Sequence, residues 1–128
     1  MLRARKPASV NRPLTFADAK RMALAMPGVE EGISYGTPAF RVKGKFFCRL
    51  KEDGETLVIK VNPLERDFLM QSNPDAFFIT DHYRGYPYML VRLPSVGREE
   101  LRDLLINARQ LAAPKRVLSA RATKRTAR

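Results

Sequence analysis

The chain has 128 residues, 45% of them apolar, a net charge of +11 at pH 7 and one cysteine. That length fits one domain, and that apolar fraction supplies a core, which excludes global disorder. A lone cysteine excludes an intrachain disulfide and suits a reducing compartment, and no apolar run approaches the roughly 20 residues that span a bilayer.

The charge is unevenly placed. Residues 1–12 carry Arg3, Arg5, Lys6 and Arg12 without an acid, and residues 113–128 carry Lys115, Arg116, Arg121, Lys124, Arg125 and Arg128, again without one. Ten of the eleven surplus charges therefore sit at the ends, around a body that is nearly neutral. The expected organisation is a basic disordered arm at 1–12, a single domain at 13–113 and a basic disordered tail at 114–128. No apolar stretch of a signal peptide follows the first basic residues, and Pro7 and Pro13 oppose an amphipathic presequence. The expected location is the cytoplasm.

The first helix is predicted from about Thr15 to Met26, with Thr15 as N-cap, Asp18 complementing the helix N-terminus and Pro27-Gly28 as the stop. A β-region follows. It begins irregularly over Gly32–Pro38, continues as a strand at Ala39–Lys43, turns at Gly44 and runs on through Lys45–Glu52. There Phe46, Cys48 and Leu50 alternate with Phe47, Arg49 and Lys51. Asp53-Gly54 signals a hairpin into Glu55–Val61. Asn62-Pro63 opens a short helix to about Gln71. Short strands are expected at Ala76–Thr80 and Tyr88–Leu93, joined by the polar aromatic loop Asp81–Pro87. The last helix, Arg98 to Ala112, is the clearest element, with Leu101, Leu104, Leu105, Ala108, Leu111 and Ala112 as its buried stripe. This order describes an α+β domain, an antiparallel β-sheet with helices packed on it.

Catalysis is not expected. Cys48 falls on the apolar side of its strand, where a buried, inert thiol is the ordinary outcome. His82 adjoins Asp81, but neighbouring residues seldom orient one another and no nucleophile is recognisable nearby. No Cys or His pair stands at metal-ligand spacing, and no phosphate-binding or dinucleotide glycine motif occurs, so neither metal nor cofactor is expected.

Binding chemistry remains. Arg41, Lys43, Lys45, Arg49 and Lys51 could form one positive ribbon across a hairpin, able to lie in a DNA groove or along its backbone. Two aromatic loops are the other feature, Gly32–Arg41 with Tyr35, and Asp81–Tyr88 with His82, Tyr83, Arg84 and Tyr86. Tyrosine rings beside guanidinium groups suit stacking on planar ligands and contact with anions. The ordinary alternatives are rings that cover a sheet edge and a solvated charged face.

The body resembles the MmcQ/YjbR family of small bacterial proteins. The likeness rests on Leu24-Ala-Met-Pro-Gly-Val-Glu-Glu, Ser34-Tyr-Gly-Thr-Pro-Ala-Phe-Arg-Val, Glu52-Asp-Gly-Glu-Thr-Leu-Val-Ile-Lys-Val, His82-Tyr-Arg-Gly-Tyr-Pro-Tyr and Leu111-Ala-Ala-Pro-Lys-Arg. The resemblance implies a CyaY-like, double-wing fold with a DNA-binding label. Iron binding does not carry over, since Asp18 stands alone among Lys20 and Arg21 on the first helix.

Two functions follow as expectations. One is a non-enzymatic protein that binds DNA, or RNA, through Arg41, Lys43, Lys45, Arg49, Lys51, Arg84, Lys115 and Arg116. The alternative is a module for a small anionic ligand or a protein, with its cleft among Tyr35, Arg41, His82, Tyr83, Arg84 and Tyr86.

Overall fold

A computed structural model describes residues 12–113. The tail with Lys115 and Arg116, and the arm before Arg12, lie outside the described residues. Arg12 itself belongs to the folded body, where both of its terminal nitrogens donate to Asp18, at 3.1 and 3.0 Å.

The described residues form three α-helices and six strands: α1 (Phe16–Leu24), β1 (Val29–Ser34), β2 (Thr37–Val42), β3 (Lys45–Leu50), β4 (Thr56–Lys60), α2 (Pro63–Ser72), β5 (Phe77–Phe78), β6 (Tyr88–Arg92) and α3 (Arg98–Ala112). The strands form one antiparallel sheet in the order β1-β2-β3-β4-β6-β5. This is the α+β architecture the sequence implies.

Two tight hairpins build the first half of the sheet. Ser34 pairs with Thr37 and Val42 with Lys45, leaving the two-residue loops Tyr35-Gly36 and Lys43-Gly44. All four loop residues have positive φ, which matches the right-handed twist of the flanking strands. The first of these loops explains why β1 exists where the sequence reading placed an irregular segment: Tyr35-Gly36 makes the turn with an uncommon residue at its first position, so the usual hairpin signal is missing.

One face of the sheet meets α1 and α3. Phe40, Phe47, Cys48, Leu57, Ile59, Met89 and Val91 pack there against Ala19, Ala23, Leu101, Leu105 and Ala108. Burial raises the Cys48 thiol well above its usual range, so it stays protonated. Leu111 is exposed, unlike the rest of the stripe expected for α3.

The simple alternation expected of β3 fails at a β-bulge. Phe40 pairs with Cys48 but Arg41 with Phe46, so Phe47 is the extra residue. Phe47 and Cys48 both enter the core, and Phe46 turns to the opposite face beside Arg41. Full burial of a Phe contributes roughly 1.5–3 kcal/mol, against about 1 kcal/mol for a ladder hydrogen bond that the bulge forgoes. The predicted strand at Ala76–Thr80 shortens to two residues.

Candidate ligand cleft

The sheet's second face carries Arg41, Phe46, Arg49, Val58 and Tyr88, which follow from the register beyond the bulge. Helices leave this region uncovered. Instead, Ser34 and Tyr35 at the first hairpin form one wall, and the 81–86 loop with His82, Tyr83 and Tyr86 forms the other. The open cleft between them is about 630 Å³, the size of a site for a small molecule. The chain has four tyrosines and no tryptophan, and Tyr35, Tyr83, Tyr86 and Tyr88 all line this cleft.

Arg49 forms its floor and is only 6% exposed. It donates to Thr37 Oγ1 at 3.2 Å, to the Leu50 carbonyl at 3.2 Å and to Tyr83 Oη at 3.3 Å. The Tyr35 ring covers it, with the guanidinium carbon 5.2 Å from the ring centroid. All of these partners are neutral. The nearest carboxylate, Glu52, is 3.6 Å away and itself largely exposed. A buried cation with neutral partners and one solvated counterion is electrostatically unfinished, because desolvation is compensated fully only by a close opposite charge.

Arg41 lies over Gly32 of the edge strand: a Cβ there would stand 3.2 Å from Arg41 Nη1. The missing side chain gives the guanidinium its resting place. Around it the rings meet edge-on, with Phe46 and Tyr88 at 5.7 Å, Tyr83 and Tyr88 at 6.4 Å, and His82 and Tyr83 at 4.6 Å. Burial, followed by the neighbouring Tyr35 and Tyr83, raises the Tyr88 phenol, which remains a neutral donor at physiological pH.

Arg66 of α2 fixes the loop wall. It donates to the carbonyls of Arg84 at 3.1 Å, Tyr86 at 2.7 Å and Tyr88 at 2.9 Å. A single guanidinium thus ties together three carbonyls of the loop and of the first residue of β6.

Of the cleft residues named from sequence, Tyr35, Arg41, His82, Tyr83 and Tyr86 converge. Arg84 does not line the cleft; it donates to Asp81 Oδ1 at 2.7 Å. That bond engages the carboxylate of Asp81, the sequence neighbour of His82. Arg49, assigned to the ribbon, belongs to the cleft instead. Phe46 was misplaced by the unseen bulge, and Arg66, a sequence-distant residue, left no local signal.

The five-residue ribbon does not form on one face. Arg49 is buried, Lys45 pairs with the core-facing Val42, Lys43 sits in the turn and Lys51 lies 3.9 Å from Glu52. The two-residue turn sets Arg41, paired with Phe46, and Lys45, paired with Val42, on opposite faces, and the bulge then returns Arg49 to the face of Arg41 and takes it out of phase with Lys45. Among the described residues no three His, Cys, Asp or Glu gather as metal ligands, and no helix is long and apolar enough to cross a membrane.

The sequence model of a family described as YjbR matches residues 24–111. Among curated proteins, the uncharacterized proteins Rv2570 of Mycobacterium tuberculosis and Mb2600 of Mycobacterium bovis are each 36% identical over 52 residues. Those matches cover 41% of this chain and 40% of each relative. Among solved structures, DR2400 of Deinococcus radiodurans, described with a DUF419 domain, aligns over 80% of both chains with a TM-score of 0.69 and 23% identity. A protein from Pseudomonas syringae aligns over 66% of this chain and 87% of its own, with a TM-score of 0.55 and 16% identity. Both likenesses are of fold.

Proposed function

The chain belongs to the YjbR family, and from that premise we propose that its body is a non-catalytic binding module for a small planar anion. A shared fold does not fix a function, so the reading rests on the site. The observation that carries it is Arg49, buried at the cleft floor, hydrogen-bonded to neutral groups, faced by Tyr35 and balanced only by the exposed Glu52 at 3.6 Å. A carboxylate or phosphate on the ligand would supply the counter-charge, with Arg41 as a second donor, while a ring would stack among the tyrosines. A thermal-shift screen of aromatic carboxylates and aryl phosphates tests this. A hit should stabilise the protein and lose its effect in Arg49→Met; a broad panel without a hit would count against the reading.

The second reading, binding of DNA or RNA phosphates, is supported by the charge of the chain's two ends. The hairpin offers it little, because Arg49 is enclosed and Lys51 is near an acid. A cytoplasmic location is consistent with both readings and with the lone, buried Cys48.

A further inference from the structure

A second concave surface lies on the opposite side of the body. Between α1 and α3 runs a groove of about 350 Å³, lined by Asp18, Arg21, Met22, Ala25, Met26, Arg98, Arg102, Leu105 and Ile106. Among these residues Asp18 is the sole acid, and it is 1% exposed. Guanidinium groups converge on its Oδ1: Arg21 at 2.7 Å, Arg12 at 3.0 Å and Arg98 at 4.0 Å. Arg102, one turn beyond Arg98, pairs among the described residues only with the exposed Glu99, at 3.5 Å. One buried carboxylate therefore anchors more positive charge than it can neutralise, and the outward edges of Arg21 and Arg102 remain in solvent, at 67% and 45% exposure.

We infer that this α1–α3 groove is where the chain takes the phosphate backbone of a nucleic acid, an assignment that rests on the second reading above. Three observations support it. Arg21, held by Asp18, and Arg102, beside Glu99, are exposed in the groove, whereas the hairpin's Arg49 is enclosed. Arg98 meets Asp18 near the start of α1, and Arg109 donates to the Pro27 carbonyl just past its end, at 2.9 Å. The two helices thus run side by side in one direction, and the stretch of α3 that lines the groove, Arg98 to Ile106, spans about 12 Å at 1.5 Å per residue. That is the length of roughly three to four phosphates of one strand. Finally, the described chain enters this layer at Arg12 beside Asp18 and leaves it at Ala113, at the end of α3. The sequence beyond those two points carries nine further basic residues and no acid.

The test is fluorescence anisotropy of a labelled oligonucleotide with the full chain at several salt concentrations. Arg21→Ala/Arg102→Ala should weaken binding about tenfold and reduce the log–log salt slope by about two. Lys43→Ala/Lys45→Ala on the hairpin should change the slope far less. Because Arg21 supports Asp18, Arg102→Glu is run beside it; the partner of Arg102 among the described residues, Glu99, is exposed, and the change should weaken binding without lowering the melting temperature. If the full chain binds but the hairpin variant loses as much as the groove variant, the groove assignment fails and the nucleic-acid reading stands. Absence of binding by the full chain at low salt overturns both. Stabilisation by inorganic phosphate without oligonucleotide binding makes this a small-phosphate site and overturns the inference.

Discussion

The guanidinium of Arg49 stacks on the ring of Tyr35, 5.2 Å from its centroid, which joins the floor of the cleft to its rim. The floor comes from β3 in mid-sheet and the rim from a turn where Tyr35 has a φ of 54°. Side chains other than Asn, Asp and Gly are uncommon there. Both residues are expensive choices for stability alone, and the cleft gives each a reason.

Replacing Arg49 with methionine separates the two roles. Buried charges exchanged for apolar groups of similar volume are often neutral or stabilising. Arg49→Met should therefore leave urea stability unchanged or raise it, while abolishing stabilisation by a planar anion. A loss above about 3 kcal/mol, the scale of breaking a buried ion pair, would mark Arg49 as structural.

Tyr35→Asn should raise stability by about 1 kcal/mol, because Asn-Gly is the favoured pair for a turn with two positive φ values. The same change removes the cover from Arg49, so the ligand-induced melting shift should fall. Denaturant titration with and without ligand measures both.

Gly32→Ala places a Cβ 3.2 Å from Arg41 Nη1, the far end of a flexible side chain. The guanidinium can move, so stability should change by less than about 1 kcal/mol, the span of strand propensity. Anion affinity should drop toward that of Arg41→Ala. Isothermal titration calorimetry of both variants against the same ligand checks this.

Asp18 accepts from Arg12, Arg21 and the Thr15 N–H, and the Arg12 bond above all holds its carboxyl well below the usual range. Its contribution to stability is present above the unfolded value near 3.9 and is lost as pH falls below that value toward the depressed folded one. Asp18→Asn should cost about 2 kcal/mol at pH 7 and flatten the acid limb of the stability curve. A variant curve parallel to the parent's from pH 5 to 2 would contradict the pairing.

Much of this was legible in the chain. The α3 stripe gave its bounds correctly, because a long helix repeats its signal every turn. The two tyrosine-bearing segments do face one another across a cleft, as their shared chemistry suggested. Alternation failed for Arg49: it assigns a residue to a face of a strand but does not reveal what covers that face. Phe46 was lost to a bulge, which no propensity marks. Arg66 reaches carbonyls 18 to 22 residues away, a relation that exists only after folding.

The central claim is that the tyrosine cleft binds a planar anion, and all four tyrosines of the chain line it. The most direct measurement is an NMR titration of ring-labelled tyrosine with benzoate, phenyl phosphate and inorganic phosphate. The account predicts saturable shifts of Tyr35, Tyr83 and Tyr88 with the aromatic anions, weaker ones with phosphate, and none in Arg49→Met. Tyrosine signals that stay still, or that move equally in Arg49→Met, would contradict it.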